Sequence, residues 1–283
     1  MNASAAHPDW IRPDWPAPAG VHALCTTRAG GVSAGPYGDL NLGDHVGDDP
    51  AAVQANRQRL QSAIRATNPE ARTVFLRQVH GVGVVHLGAE ASDGTEADAC
   101  LATQPDQVCS IMVADCLPVL FTHLSGTVVA AAHAGWRGLA GLDGRGVLEA
   151  VGERLGAAVP VDPASSAIGL DHRRAVAADT LAWLGPCIGP QAFEVGDEVR
   201  AAFCHKDPTA ARFFAPHGSG HWRADLAGLA RWRLQALGIQ HIYGNDSSPA
   251  WCTVTQASRF FSYRRDHRLL GGSGRFAACI WRD

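Results

Sequence analysis

Charge of one sign is not in excess in this sequence. Its 24 Lys and Arg stand against 27 Asp and Glu, a formal net charge of -3 with a pI near 6.5. There is no basic surplus to neutralise nucleic-acid phosphates or an anionic membrane surface. No stretch approaches the roughly 18 uninterrupted apolar residues of a membrane helix. Met1–Pro18 is polar and proline-rich, without the basic start and apolar run of a secretory signal. The expectation is a cytoplasmic protein with no membrane or nucleic-acid partner. Cys-x-x-Cys is missing too: the eight cysteines lie scattered at 25, 100, 109, 116, 187, 204, 252 and 279. That excludes zinc ribbons and thioredoxin-like pairs, and a disulfide framework fits poorly with a chain lacking a signal. Most of the eight read as small buried apolar side chains.

Catalytic signatures are absent as well. The chain has neither the His-x-Glu nor the Pro-Cys-x-x-Cys of zinc deaminases. It has no His-Glu-x-x-His and no Gly-x-x-x-x-Gly-Lys-Ser/Thr. No His-x-His pair occurs, as a cluster of several coppers built from imidazoles would lead one to expect, and the methionines are only Met1 and Met112.

What is present is a folded chain of 283 residues, 46% hydrophobic and 18% charged, long enough for one large domain. Apolar strand-like runs recur at Val21–Thr27, Val74–Leu76, Val82–Val85, Ser110–Ala114, Leu117–Phe121, Gly126–Ala132, Leu181–Leu184, His241–Tyr243 and Phe276–Trp281. Asp48-Asp49-Pro50 opens a helix through Ala51–Ala66. Further helices are expected from about Gly144 to Leu155, over Val195–Ala202, and over Asp225–Leu237, where Gly238 follows as a stop. Strands outnumber long helices throughout, which gives an α+β or mixed α/β fold in one domain. Residues 1–19 read as an N-terminal extension, 20–283 as the catalytic domain, and 156–180 as an inserted loop.

His80, Cys116 and His133 each interrupt or end an apolar run. Strand ends on neighbouring strands can converge, and three ligands around a zinc leave a fourth position open. Their spacings match no local metal motif, so pattern alone favours two structural histidines and a buried cysteine. His133–Gly138 carries more. Gly135 and Gly138 admit close backbone approach, and Arg137 offers a planar fork for phosphate or carboxylate. The plainer reading is a strand-to-helix turn with a surface arginine, and Arg28 in its glycine-rich loop has the same two readings.

Five segments taken together resemble the YfiH/YlmD-like family, also labelled laccase domain, polyphenol oxidase or purine nucleoside phosphorylase. They are Thr26–Ser33; Leu40–Gly43 with His45–Asp48; Arg77–Gly81; Ala114–Val119; and Ala132–Gly138. Leu184–Pro190 with Phe193–Gly196, and Phe260–Asp266, also fit. They follow in the expected order from about residue 20 to the end. The resemblance implies a compact α+β domain with mixed β-sheets flanked by helices, similar to deamidating Cys/His toxins. It implies one zinc held by His80, Cys116 and His133, with copper the lesser alternative. It implies phosphorolysis of adenosine, inosine and methylthioadenosine, accompanied in some members by adenosine deamination. Arg28 and Arg137 are then candidates for phosphate, Asn41 and Gln78 for sugar or base, and His45 for proton donation; each is equally a loop brace. Partners would be a nucleoside and phosphate, with the chain a monomer or homodimer. Three rival readings stand beside this one: a Cys116–His133 amide hydrolase that edits cell-wall precursors, a copper phenol oxidase, and a non-enzymatic binding protein that keeps the fold, against which the intact His80, Cys116 and His133 argue. The stretch 156–180 departs from the family by its length.

Overall fold

The computed structural model describes residues 6–88, 91–160 and 170–283. Alternation along single strands dictates how its sheets stack. β5 (Gln107–Val113) turns Cys109, Ile111 and Val113 to one side and Val108 and Met112 to the other, all buried. β13 (Phe276–Arg282) divides Phe276, Ala278 and Ile280 from Ala277, Cys279 and Trp281 in the same way. Successive side chains on a strand point to opposite faces, so both faces of this sheet must be covered. Its order is β1 (Val21–Cys25), β13, β5, β2 (Arg72–Phe75), with only the β2–β5 pairing parallel.

One face is covered by α1 (Pro50–Arg65), which packs Leu60 and Ile64 with Leu42, Phe75 and Met112. Pro50 starts that helix, and the Asp49 carboxylate caps the Ala51 amide. The other face packs on a second sheet. Its order is β12 (His241–Gly244), β8 (Thr180–Leu184), β6 (Leu117–His123), β7 (Val129–Ala134), β4 (Ala99–Ala102), β3 (Val84–His86). Ile111, Phe276, Val129 and Trp183 fill the space between the sheets. From its outer face Leu117, Val119, Phe121, Ala130 and Ala132 meet α3 (Val147–Ala158), α5 (Asp197–Cys204) and α6 (Leu226–Ala236). The layers are therefore helix, sheet, sheet, helices, an α+β arrangement of mixed sheets.

Smaller pieces complete it: α2 (Trp136–Ala140), α4 (Leu170–Ala178), α7 (Arg268–Leu270) and a three-stranded sheet in the order β10 (Phe214–Pro216), β11 (His221–Ala224), β9 (Glu194–Gly196). The segment 156–180 is not simply a loop. α3 runs on to Ala158, and α4 packs against it, burying Val176 while the His172 ring donates to the Gly156 carbonyl at 3.1 Å. Residues 161–169 lie outside the described residues. Within 1–19, described from residue 6, Trp10 is buried with α1 and Ile11 bridges to Cys25, so this stretch lies on the sheet. No helix among the described residues is long and apolar enough to cross a membrane.

Candidate active site

Three chain segments converge at one end of the two stacked sheets. His80 sits in the loop after β2, with a left-handed backbone (φ 62°). Cys116 lies where the chain leaves β5 in the first sheet and enters β6 in the second. His133 is inside β7, opposite Pro118. The crossing before Cys116 is held by Asp115, itself at φ 91°. Its carboxylate accepts from Thr253 Oγ1 at 2.6 Å and from the Arg264 amide at 2.7 Å.

One ligand atom from each of His80, Cys116 and His133 lies within 4.8 Å of the others. Cys116 Sγ is 3.8 Å from His80 Nε2, and the two imidazoles meet edge to face at 4.7 Å between centroids. Asp98, fully buried, organises the group. Its carboxylate accepts from His133 Nδ1 at 2.8 Å, from the His80 amide at 2.8 Å and from the Gly81 amide at 2.6 Å. One carboxylate thus orients the His133 ring, turns Nε2 towards Cys116, and pins the His80 backbone. Burial alone would raise the Asp98 carboxyl, but these hydrogen bonds and the His133 charge hold it below its ordinary value.

Cys116 and His133 polarise each other. Burial would push the thiol up, but the His133 charge and hydrogen bond, with His80, bring it down from 9.0 to about 6. Burial would lower His133, but the Cys116 thiolate and Asp98 raise it from 6.5 to about 9. The pair is thus thiolate and imidazolium, and the thiolate is the form in which cysteine acts as ligand or nucleophile. Gly135 makes room: a Cβ there would stand 2.9 Å from Cys116 Sγ and 3.1 Å from His80 Cδ2. At Gly138 a Cβ would stand 2.7 Å from the Gly81 carbonyl oxygen. Both glycines admit neighbouring chain, where close approach to a ligand was expected.

The group opens on a cavity of about 300 Å³. Its wall includes His45 and Gln78, the aromatic rings of Trp136, Phe193 and Tyr263, and the arginines Arg264 and Arg275. Of the seven residues expected at the site, His80, Cys116, His133 and Gln78 line it, as does His45; Arg28, Asn41 and Arg137 do not. Arg28 braces loops, donating to the Gly38 and Ala257 carbonyls at 2.9 Å each and lying over the Phe261 ring. Asn41 is buried and bonded to Asp48 and to the Gly43 and Arg275 backbones. Arg137 is exposed over the Trp136 ring, on a helix of five residues. Gln78 faces the cavity with its amide already exchanging two hydrogen bonds with the Met112 backbone, at 2.7 and 2.8 Å.

Sequence reasoning missed Asp98, Arg264 and Arg275. A single acid ahead of the apolar run Ala99–Ala102 was the available signal for Asp98. Arg264 lies in the Phe260–Asp266 segment quoted for the resemblance, which was its available signal, whereas nothing local marks Arg275; both reach the cavity from the far end of the chain. The wall carries one acid, Asp115, with both oxygens engaged. It carries two guanidinium groups beside it, so it favours an anion.

A family model described as multi-copper polyphenol oxidoreductase laccase matches residues 22–283. The chain belongs to that family. A Pseudomonas aeruginosa protein named purine nucleoside phosphorylase is 48% identical over 273 residues, 96% of this chain and 98% of the relative. Purine nucleoside phosphorylase YfiH of Escherichia coli is 45% identical over 96% of this chain and 98% of its own. Among solved family structures, a Neisseria meningitidis protein superposes with a TM-score of 0.80 at 41% identity, covering 97% of this chain and 99% of that one. YlmD from Geobacillus stearothermophilus gives 0.74 at 30% identity, covering 96% of each chain.

Proposed function

We propose that this chain is a zinc-dependent purine nucleoside phosphorylase acting on adenosine, inosine or methylthioadenosine. The observation that carries the reading is the placement of the His80–Cys116–His133 group on a cavity walled by flat rings and two arginines. Two imidazoles and a thiolate suit zinc and leave a coordination position free. A His2Cys set also suits a single copper, whereas three histidines on the cavity wall, His45, His80 and His133, are too few for a cluster of several. When bound, the metal would supply Lewis acidity on the cavity side.

The chain's own groups do the rest. Trp136, Phe193 and Tyr263 offer faces and edges for a planar base. Arg264 and Arg275 take over the phosphate role first expected of Arg28 and Arg137, holding the anion against the sugar carbon from which the base departs. His45, whose imidazole is lowered by burial and then by Arg275, stands on the wall in neutral form, able to relay a proton to the leaving base. Adenosine deamination would use the same cavity.

Metal-loaded protein incubated with adenosine, with and without phosphate, tests this directly. Adenine and ribose 1-phosphate forming only with phosphate is the expected result; inosine alone would make the chain a deaminase. Cys116→Ala is expected to remove both bound zinc and turnover, and retention of both would break the ligand assignment.

One further reading has an observation in its favour. Cys116, His133 and Asp98 stand in the order nucleophile, base and base-orienting acid. Amide hydrolysis that survives metal removal and stops with iodoacetamide would put that chemistry first.

A further inference from the structure

Asn41 and Gly43 stand behind the cavity wall, and what they hold is Arg275. Leu40 and Leu42, fully buried, fix this segment in the core beside α1. Between them the Asn41 side chain is fully bonded. Its Nδ2 donates to the Gly43 carbonyl at 3.0 Å and to Asp48 Oδ2 at 2.9 Å. Its Oδ1 accepts from the Gly43 amide at 2.9 Å and from the Arg275 amide at 2.8 Å. The Leu42 amide donates to the Arg275 carbonyl at 3.0 Å. Gly43 lies against the arginine stem: a Cβ there would stand 2.8 Å from Arg275 Cγ and 3.2 Å from its Cβ. Three consecutive residues thus fix the amide, the carbonyl and the stem of Arg275. The platform is itself anchored on α1. Asn56, fully buried, donates to the Asn41 carbonyl at 2.9 Å and to Ser33 Oγ at 2.8 Å, and Ser33 Oγ donates to Asp48 Oδ2 at 2.6 Å.

The guanidinium held this way is costly to the fold. Its Nη1 donates to the Ser273 and Gly274 carbonyls at 2.9 and 3.0 Å, and among the described residues no carboxylate pairs with it. Burial works against its charge. It lines the cavity. A cation placed there without an acid destabilises the empty protein, so a platform serving stability alone would gain nothing by specifying it. An anion entering the cavity would complete it.

We infer that Asn41 and Gly43 are positioning residues for anion binding, setting the place and direction of the Arg275 guanidinium without touching substrate. This rests on the reading of Arg275 as a phosphate-binding group.

Zinc-loaded full chain is titrated with inorganic phosphate by calorimetry, then assayed at varied phosphate with adenosine. Arg275→Ala is expected to weaken phosphate binding about 10-fold, the equivalent of one charge-assisted hydrogen bond. Gly43→Ala keeps the charge and forces only the stem to move, at a backbone angle open to alanine. It should weaken phosphate binding by a similar factor and raise the KM for phosphate while the KM for adenosine stays. Added to Arg275→Ala it should change nothing further, because the stem it displaces is gone. Asn41→Ala should also weaken phosphate binding, and its melting curve is recorded alongside because losing these buried hydrogen bonds lowers stability as well. If Arg275→Ala binds phosphate as the natural chain does, the phosphate role of Arg275 falls and the inference with it. If Arg275→Ala weakens binding and Gly43→Ala does not, the inference alone falls. It falls too if Gly43→Ala has the same effect in the Arg275→Ala background as in the natural chain, since the glycine then acts through the fold. Phosphate binding is read without nucleoside, so a lack of phosphorolysis would overturn the proposed reaction and leave this comparison standing.

Discussion

His133 reaches the cavity with Nδ1 already committed to Asp98, so only one nitrogen can face a metal or Cys116. Asp98 simultaneously holds the His80 and Gly81 amides, where His80 adopts a backbone conformation that non-glycine residues seldom take. Removing the charge while keeping the shape isolates this effect. Asp98→Asn is expected to weaken zinc binding about 10–100-fold, the range seen when the outer partner of a metal-binding histidine is altered. Competition with a chromophoric chelator measures it, and unchanged affinity would show that Asp98 serves the loop alone. A buried acid with four donors around it was hard to see in the sequence, because its partners are backbone amides and a histidine on another strand. The three candidate ligands stood out only once several motifs were read together.

At the scale of elements, the cavity is assembled by how segments end. A π-helical turn over Tyr263–His267 is capped by Ser262, whose side chain accepts from the Arg265 amide. Asp115 takes the Arg264 amide, so this turn delivers Tyr263 and Arg264 to the cavity wall. π-turns recur where function needs a side chain re-aimed. Arg28 is fixed differently, between two carbonyls and a ring. Arg264→Ala should therefore raise the KM for phosphate about 10-fold, the equivalent of one charge-assisted hydrogen bond near 1.5 kcal/mol. Arg28→Ala should lower thermal stability and leave that KM in place. Steady-state kinetics at varied phosphate separates the two, and a phosphate KM that moves with Arg28 but not Arg264 would return the role to the glycine-rich loop. Elements with both faces buried, such as β5, β7 and β13, were legible as apolar runs. α4 was not, because its alanine- and arginine-rich stretch follows proline and aspartate without a clear start, and its burial depends on α3. The strands of the small sheet, three or four residues each, are too short to show a period.

For the whole molecule, the candidate ligands come from both sheets. His80 follows a strand of the four-stranded sheet, His133 belongs to the six-stranded one, and Cys116 sits where the chain crosses between them. A bound metal would thus join the two sheets at their open end, where the apolar filling of Ile111, Phe276 and Trp183 gives way to the cavity. A ligand that binds only the folded chain stabilises it by mass action, about 2.7 kcal/mol at a hundred times its Kd. For a chain of this size that is a shift of about 5–10 °C in Tm. Zinc-loaded protein is expected to lose about that much on chelation, measured by scanning calorimetry. In Cys116→Ala the loss should vanish. If the natural chain and Cys116→Ala lose the same amount, the metal does not join the sheets, and the three side chains are held together by Asp98 and packing alone.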